Sequence, residues 1–337
     1  MIRGAVVVAA ALVAGAPASA SAEPRPLEVT PSYVPRAHPP GPGRTPADSF
    51  GYFYVAFGEV ATMTGAGAAL TLAQPRVSTV DYHSLAEIAV ESTAGRQLIE
   101  IGWNIDPGVN TGDVAPHLFS YHWIDGAGTC YNGCGWVQVS ATHAPGMPVA
   151  VDAAPHVFQI EHRADARWWL TYDGDDLGYY PDTEWSGGYT AGGFTQWFGE
   201  VAAGAEASPC TEMGNAKRGT EPDSDSFSGI YIFDAAGTQA PAAVHMTSLT
   251  DAAAYAQGRV TTSSFGFGGP GTPAPSCAYY GDVIADGLAV DAGASPDAAR
   301  PAETGDSGGC CDTSGGGGGS SVLLGAAVLG FAWRRRR

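Results

Sequence analysis

The stretch Leu98-Ile99-Glu100-Ile101-Gly102-Trp103 sets a single glutamate into an otherwise apolar, strand-like run. Successive side chains of a β-strand point to opposite faces, so Glu100 lies on the face opposite Ile99 and Ile101. Charged residues are rarely buried unless they are paired or used. The stretch therefore predicts a strand with one apolar face for a core and one face that carries a carboxylate.

A second stretch, Thr195-Gln196-Trp197-Phe198-Gly199-Glu200-Val201, repeats this pattern. Two carboxyl groups that are held close together cannot both ionise easily, so they share a proton. The ionised member can take a proton from water, and the protonated member can serve the carbonyl or the leaving group. If the two carboxylate-bearing faces meet, Glu100 and Glu200 form a catalytic pair. The alternative is that each is a salt-bridged or rim carboxylate.

The fold class follows from the pattern around these two stretches. From about residue 50 to residue 233 the chain has many short aromatic and β-branched runs, and no long helical period. Asp125-Gly126 and Asp173-Gly174 are hairpin signals. We expect an all-β fold, an antiparallel β-sandwich of two stacked sheets, over residues 49–284. The expected strands are Gly51–Thr62, Ser84–Val90 (or a helical turn), Gln97–Ile105, Leu118–Ile124, Gly135–Ser140, His156–His162, Arg167–Tyr172, Leu177–Tyr180, Gln196–Val201 and Gly229–Phe233, with Ala240–Asp282 packed against them.

Charge limits the possible partners of this 337-residue chain. Its net charge is −18, and only 15% of its residues are charged, against roughly 25% in ordinary domains. No basic patch is available, so nucleic acid is excluded as a partner. Few cations also mean little self-repulsion in acid, although a genome composition that favours arginine and alanine accounts for the scarcity equally well.

The N-terminal segments have the composition of leader sequences. Residues 1–22 combine a charged start, an Ala/Val run and small-residue cleavage options after Ala20 or Ala22, which is typical of a secretory signal peptide. Residues 23–48 are Pro-rich and are interpreted as an extended leader or linker. The mature chain is therefore expected to cross the inner membrane into an oxidising compartment.

The C-terminal segments differ from the expected domain. Residues 285–309 are acidic and rich in Ala, Gly and Pro, which predicts a disordered spacer. Residues 310–337 run from Cys310-Cys311 through a Gly run and an apolar stretch to four arginines. This tail resembles the myxobacterial type of C-terminal sorting tag, which implies sorting machinery as a partner, processing or lipidation at Cys310 or Cys311, and anchoring at the cell surface or outer envelope. A plain tail anchor in the membrane is the alternative.

The middle of the chain resembles the neprosin domain from about Tyr52 to Tyr280. The matching motifs, in order, are Ile99-Glu100-Ile101-Gly102-Trp103, Leu118-Phe119-Ser120-Tyr121, Asp125-Gly126, Cys130-Tyr131-Asn132, Gly135-Trp136-Val137-Gln138, Trp168-Trp169-Leu170, Gly178-Tyr179-Tyr180-Pro181, Phe198-Gly199-Glu200-Val201, Thr211-Glu212-Met213-Gly214 and Gly268-Gly269-Pro270-Gly271. The resemblance implies a cofactor-free glutamic endopeptidase with a β-sandwich fold, active in acid on polypeptides, next to proline. The family's catalytic glutamates carry over to Glu100 and Glu200.

The same resemblance bears on the cysteines. Cys130 and Cys134 match a family bridge, whereas a late family cysteine is replaced near Ala254. We therefore expect Cys210 to pair with Cys277 instead. The Cys130–Cys134 spacing could also hold a metal, but secretion and the lack of a nearby second pair favour a disulfide.

Other side chains are candidates for substrate binding or for metal binding. Gln196 or Gln138 could support the oxyanion, and Tyr121 or Phe198 could stack on proline. The eight histidines show no metal-ligand spacing and are interpreted as surface or strand residues. The acidic runs 173–176 and 223–225 could bind calcium, but a hairpin turn and an acidic loop are the favoured interpretations, and no metal site is expected.

Two other classes of function stay open from the sequence. One is a non-catalytic β-sandwich for adhesion or carbohydrate binding, which needs no convergent glutamates. The other is a glycosidase, since paired carboxylates also hydrolyse sugars. A sugar site is expected to line its floor with several aromatic side chains.

Overall fold

Antiparallel strands make up nearly all the regular structure of the protein. The computed structural model describes residues 51–285, apart from 186–187 and 205–208. A 3-10 turn lies at Asp182–Glu184, and a short helix, α1, at Tyr280–Ala285. The strands are β1 (Gly51–Thr71), β2 (His83–Glu91), β3 (Leu98–Ile105), β4 (His117–Ile124), β5 (Ala127–Gly128), β6 (Val137–Gln138), β7 (Pro155–Arg163), β8 (Arg167–Tyr172), β9 (Asp175–Pro181), β10 (Gly192–Ala203), β11 (Ser226–Asp234), β12 (Gln239–Pro241), β13 (His245–Leu249), β14 (Ala256–Gly258) and β15 (Phe265–Gly268).

The strands form one hydrogen-bonded sheet that curls into two layers. Its main order is β5-β4-β3-β2-β10-β1-β7-β8-β9-β6, and β11 and β13 also pair with β1. β2 and β3 pack against β7 without pairing with it, so the two halves of the sheet lie face to face. The expected all-β sandwich is confirmed, and its layers are joined through β1.

The long strand β1 belongs to both layers. Its first part, Gly51–Val60, pairs with β10, and its second part, Gly65–Thr71, pairs with β7. The prediction that this strand ends at Thr62 is wrong. The strand continues to Thr71, because Gly65 has no side chain and lets β7 approach closely enough to pair. A Cβ at Gly65 would lie 2.2 Å from the carbonyl oxygen of Ile160 on β7.

The two predicted hairpins are confirmed. Asp125 and Gly126 connect β4 to β5 with φ values of 53° and 84°. Asp173 and Gly174 connect β8 to β9 with φ values of 48° and 78°. Positive φ at both central residues is the signature of the type I′ turn, whose twist matches that of the flanking strands. By contrast, only Val137–Gln138 of the expected strand Gly135–Ser140 is a strand.

The core lies between the layers and takes one face of β3 and of β10. Ile99, Ile101 and Trp103 are fully buried there, as is Trp197. Burying a large apolar side chain stabilises a fold by about 1.5–3 kcal/mol. The face assignment made from the alternation around Glu100 is therefore confirmed.

Both expected disulfides are present. Cys130 is bonded to Cys134, and Cys210 to Cys277. Within the described residues, no helix is long and apolar enough to cross a membrane. The proposed signal peptide, the leader, nearly all of the spacer and the tail with Cys310 and Cys311 lie outside the described residues.

Candidate active site

The strand registers bring Glu100 and Glu200 to the same face of the sheet. β2 lies between β10 and β3, and it pairs Leu85 with Glu200 and Ala89 with Glu100. Leu85 and Ala89 are separated by an even number of residues, so they and their partners point to one side. We call this side of β10, β2 and β3 the carboxylate face. It is opposite to the face that forms the core.

A third glutamate, Glu87, lies midway between the pair on the carboxylate face. It pairs with Phe198 on β10 and with Gly102 on β3, so it is a diagonal neighbour of both Glu100 and Glu200. Diagonal neighbours in a sheet are about 7–8 Å apart, which long side chains can span. The sequence interpretation missed Glu87, although its period-two spacing within β2 would have placed it there.

Aromatic side chains surround the carboxylates. The buried members are Tyr54, Phe119, Tyr121 and Phe198, and Tyr52, Trp123 and Tyr131 form a half-buried rim. Glu100 and Glu200 are both 0% exposed. Excluding water strengthens every charge interaction in such a site and makes each carboxylate dependent on the donors around it.

Glu200 is held by two donors. Its Oε1 lies 2.7 Å from Nε2 of His83, and the hydroxyl of Tyr54 hydrogen-bonds to the same carboxylate. On the other side of the His83 ring, Nδ1 lies 3.4 Å from Oδ2 of Asp106. The side chains of His83, Asp106 and Glu200 are all 0% exposed. The sequence interpretation placed His83 with the surface or strand histidines and did not anticipate this contact.

Asp106 is fixed in turn by the backbone. Its Oδ1 accepts hydrogen bonds from the N–H groups of Gly108 at 2.8 Å and Val109 at 3.1 Å. The turn that follows β3 thus orients the carboxylate towards His83. A sequence signal was available, because Asp106 continues the alternation of Glu100, and an Asp-Pro-Gly run is typical of a turn.

The balance of forces on His83 favours its protonated form. Burial by itself lowers the pKa of the imidazole, but the carboxylates of Asp106 and Glu200 outweigh it, and the net pKa is raised above 6.5. Burial raises the pKa of the neighbouring Tyr54 and Tyr131, so both hydroxyls stay neutral in acid.

Glu100 has different surroundings. Its Oε2 accepts a hydrogen bond of 3.2 Å from the indole Nε1 of Trp123. Its cross-strand partner on β4 is Tyr121, whose ring packs against Trp123 with centroids 5.8 Å apart. The two glutamates therefore differ in their donors: a histidine and a tyrosine at Glu200, and an indole at Glu100.

Three of the four candidate substrate-binding residues lie on the carboxylate face. Tyr121 and Phe198 are fully buried there. Gln196 on β10 and Glu100 on β3 both pair with Ala89 on β2, so the two side chains lie on the same face. The amide of Gln196 donates to the hydroxyl of Thr247 at 3.0 Å. Gln138 does not join them.

Gln138 is exposed on β6, and its side chain is engaged in its own loop. Its amide nitrogen donates to the carbonyl oxygens of Ser140 and His143, and its Oε1 accepts from Trp136. The structure thus gives the proposed oxyanion role no support at this residue.

The Cys130–Cys134 bridge shapes the rim. Tyr131 lies within the loop that this disulfide closes, and its ring packs on Tyr121 with centroids 4.8 Å apart and on Phe119 with centroids 6.0 Å apart. The short cross-link therefore restrains an aromatic side chain directly over the Glu100 end of the carboxylate face.

The acidic runs considered for calcium have separate structural partners. Asp173 contacts His156, Asp175 contacts His143, and Asp176 forms an ion pair with Arg163. Asp223 pairs with Lys217 on the surface, whereas Asp225 is buried. Across the described part of the chain, no group of three or more His, Cys, Asp or Glu residues is arranged to hold a metal ion.

The sequence match decides the family. The model of the Neprosin family matches residues 80–270, which is more than half of the chain. The chain belongs to the neprosin family. As a neprosin-family protein it is a glutamic peptidase, a hydrolase that acts on polypeptides. The matched region contains Glu87, Glu100, Glu200, His83 and Asp106. No curated protein sequence matches this neprosin-family chain.

Solved structures show distant likenesses. The chain is similar to Scytalido-glutamic peptidase with a peptide-based transition-state analogue, at 7% identity and TM-score 0.38, over 66% of this chain and 100% of that one. It is similar to SCP-B, a member of the Eqolisin family, at 5% identity and TM-score 0.39 over the same shares. The Crh5 transglycosylase in complex with NAG matches at 17% identity and TM-score 0.25, over 45% of this chain and 56% of that one. The family assignment rests on the sequence match alone.

Proposed function

We propose that this neprosin-family peptidase is a secreted or surface-anchored endopeptidase that hydrolyses peptide bonds next to proline in acid, with Glu100 and Glu200 as its catalytic pair. The observation that carries the proposal is the placement of both glutamates, fully buried, on one face of β3 and β10, the two strands that flank β2. Buried carboxylates are costly unless they are used or paired. Of the buried glutamates on this face, Glu100 and Glu200 are the two in motifs that the family resemblance also selects, which supports shared chemistry.

The register sets the separation of the two glutamates. Two diagonal steps through Glu87 separate the Cα atoms of Glu100 and Glu200 by about 15 Å in a flat sheet. Glu87 lies within this interval on the same face. Tyr52, Trp123 and Tyr131 at the rim are half-buried and mark the side from which a peptide approaches.

The proposed reaction uses one shared proton. The ionised carboxylate takes a proton from water as its oxygen bonds to the carbonyl carbon, and the carbonyl oxygen becomes the oxyanion. When the C–N bond breaks, the protonated carboxyl supplies the proton to the leaving nitrogen. The proton taken from water then restores the pair. One proton must stay on the pair, so activity falls as the pH rises well above the carboxyl range near about 4.

The aromatic side chains of the carboxylate face suit a proline residue. Tyr121 and Phe198 lie fully buried beside the pair, and the half-buried rings of the rim offer surfaces on which the rigid pyrrolidine ring can pack without the entropy loss of a flexible side chain. The same aromatic lining is what a glycosidase would need, so a sugar polymer is the second candidate substrate. The family assignment favours the peptide.

The test compares the wild-type protein with Glu100→Gln and Glu200→Gln. Each variant is incubated with a mixed peptide library and, separately, with an oligosaccharide mixture from acid to neutral pH, and the products are identified by mass spectrometry. Cleavage beside proline in acid, lost in both variants, is the expected result. The matched control is Glu161→Gln on β7, whose carboxylate pairs with Arg163 at the protein surface and which should keep full activity.

Other outcomes separate the alternatives. Sugar cleavage without peptide cleavage would replace the peptidase by a glycosidase. A folded, disulfide-intact protein that cleaves neither substrate class would indicate a binding module. Peptide cleavage that survives both substitutions would show that the pair is misassigned.

A further inference from the structure

His83 lies between two carboxylates that come from different strands. It begins β2 and points to the carboxylate face, because it is separated from Leu85 and Glu87 by even numbers of residues. Glu200 on β10 contacts its Nε2 at 2.7 Å, and Asp106 after β3 approaches its Nδ1 to 3.4 Å. A neutral imidazole has only one N–H, whereas the imidazolium has two. The geometry therefore suits the cation, which can serve both carboxylates.

The other titratable groups around His83 are tyrosines and carboxyl groups, which do not become cations. β1 contributes Tyr52 and Tyr54, the loop of the first disulfide contributes Tyr131, and β2 itself contributes Glu87. Burial raises the pKa of all three tyrosines, so they stay neutral in acid. Among these groups, His83 alone can carry a positive charge beside Glu200.

We propose that His83, fixed by Asp106, is a positioning residue that orients Glu200 and keeps it the ionised member of the catalytic pair. This inference rests on the proposed function of Glu200. An opposite charge at hydrogen-bond distance stabilises a carboxylate against protonation. Asp106, anchored by two backbone N–H groups, in turn stabilises the imidazolium and fixes the ring. In the absence of this cation, Glu200 would share its buried face with Glu87 and Glu100 and would take up a proton at a higher pH.

The kinetic test uses His83→Gln, which removes the charge and leaves an amide that can still donate to Glu200. On a proline-containing peptide, the acid side of the kcat/KM profile should move to higher pH by about 1, so that activity in the most acidic samples falls about tenfold. KM should change little. The matched control, His162→Gln, removes a half-buried histidine that pairs with Asp182 on the outer surface and should leave the profile in place.

A second measurement does not depend on activity. The protonation of His83 can be followed by NMR through its ring Cε1–H signal, in the wild type and in Asp106→Asn and Glu200→Gln. The wild-type ring should titrate above the ordinary pH of about 6.5, and each substitution should lower that midpoint by about 1 or more. Asp106→Asn keeps the hydrogen-bonding shape of the side chain, so it serves if His83→Gln fails to fold.

The outcomes distinguish this proposal from the proposed function. An unchanged acid limb in folded His83→Gln, or an unchanged His83 midpoint in both carboxylate variants, would overturn the positioning role. A wild-type protein that cleaves no peptide would overturn the proposed function, while the NMR titration would still decide whether His83 and Glu200 are coupled.

Discussion

Replacing Asp225 by asparagine should remove a pH dependence of stability that is built into the fold. Asp225 directly precedes β11 and is 4% exposed. Burial raises the pKa of its carboxyl to about 6 from an ordinary value of 3.8, although hydrogen bonds from Thr71 and Asn215 and the charge of Arg259 act in the opposite direction. The folded protein therefore holds this proton more tightly than the unfolded chain does.

The sign and size of the effect follow from that difference. Because the folded pKa is the higher one, the stabilisation is complete below pH 3.8 and is lost as the pH rises through about 6. A difference of about 2 in pKa corresponds to about 3 kcal/mol of unfolding free energy. For a domain of this size, that is roughly 6–12 °C in Tm. The ionisation of Asp225 alone should thus lower the unfolding free energy of the wild type by this amount between acid and neutral pH.

The assay is thermal or urea unfolding of wild type and Asp225→Asn from about pH 3 to about pH 8, a range that spans the carboxyl and histidine titrations. Asparagine cannot ionise, so the unfolding free energy of the variant should increase relative to that of the wild type as the pH rises from about 4 to about 6. Asp223→Asn, an exposed neighbour that pairs with Lys217, is the control and should not gain in this way. If the wild-type and Asp225→Asn curves run parallel over this interval, the burial argument is refuted.

Two further predictions concern the carboxylate face. Trp123→Phe keeps an aromatic ring but loses the donor to Glu100, the protonated member of the pair, and a hydrogen bond between neutral groups is worth about 0.5–1.5 kcal/mol, so kcat/KM should fall about twofold to tenfold in a peptide assay. Equal activity of this variant and of Trp169→Phe, a surface control, would contradict that role. Gly102→Ala would place a Cβ 2.1 Å from a backbone oxygen of β2, so it should lower the unfolding free energy by about 1–3 kcal/mol and lower the Tm. The control is Gly281→Ala, which has open space around it and should leave the Tm unchanged. Matching melting curves for these two glycine variants would show that the sheet absorbs the methyl group freely.

Period-two alternation was sufficient to predict the two faces of the central strands. Glu100 between isoleucines and Glu200 after Phe198 follow the same rule, and the registers through β2 confirm it. What alternation cannot supply is the strand order. Only the pairing of β2 with both β10 and β3 brings the two glutamates to opposite sides of β2 on one face, and that pairing depends on contacts far apart in sequence.

The errors in strand boundaries have a common physical cause. The Gly- and Ala-rich end of β1 has the composition of a loop, yet its small residues permit β7 and β11 to approach from both sides. At Gly67, for example, a Cβ would lie 2.3 Å from the ring of Tyr231. Conversely, residues 135–140 include β-branched and aromatic side chains but lie at a sheet edge, where few partners extend the strand.

His83 illustrates a different limit of sequence reasoning. A lone histidine at the start of a strand has no motif to mark it, and its partners Asp106 and Glu200 are distant in the chain. The shared face could be inferred from alternation, but the contact could not, because it depends on how the turn after β3 is anchored. Buried charge networks of this kind are assembled by the tertiary fold.

The Cys210–Cys277 bond bears on how the protein withstands cleavage by other copies of itself. A cut in any loop between these two cysteines leaves both fragments covalently joined, and β11 to β15 stay paired with the rest of the sheet. Self-digestion at such a site would appear on a gel only after reduction, while the nicked molecule retained its shape. The bond thus makes the C-terminal third of the sheet tolerant of the enzyme's own activity.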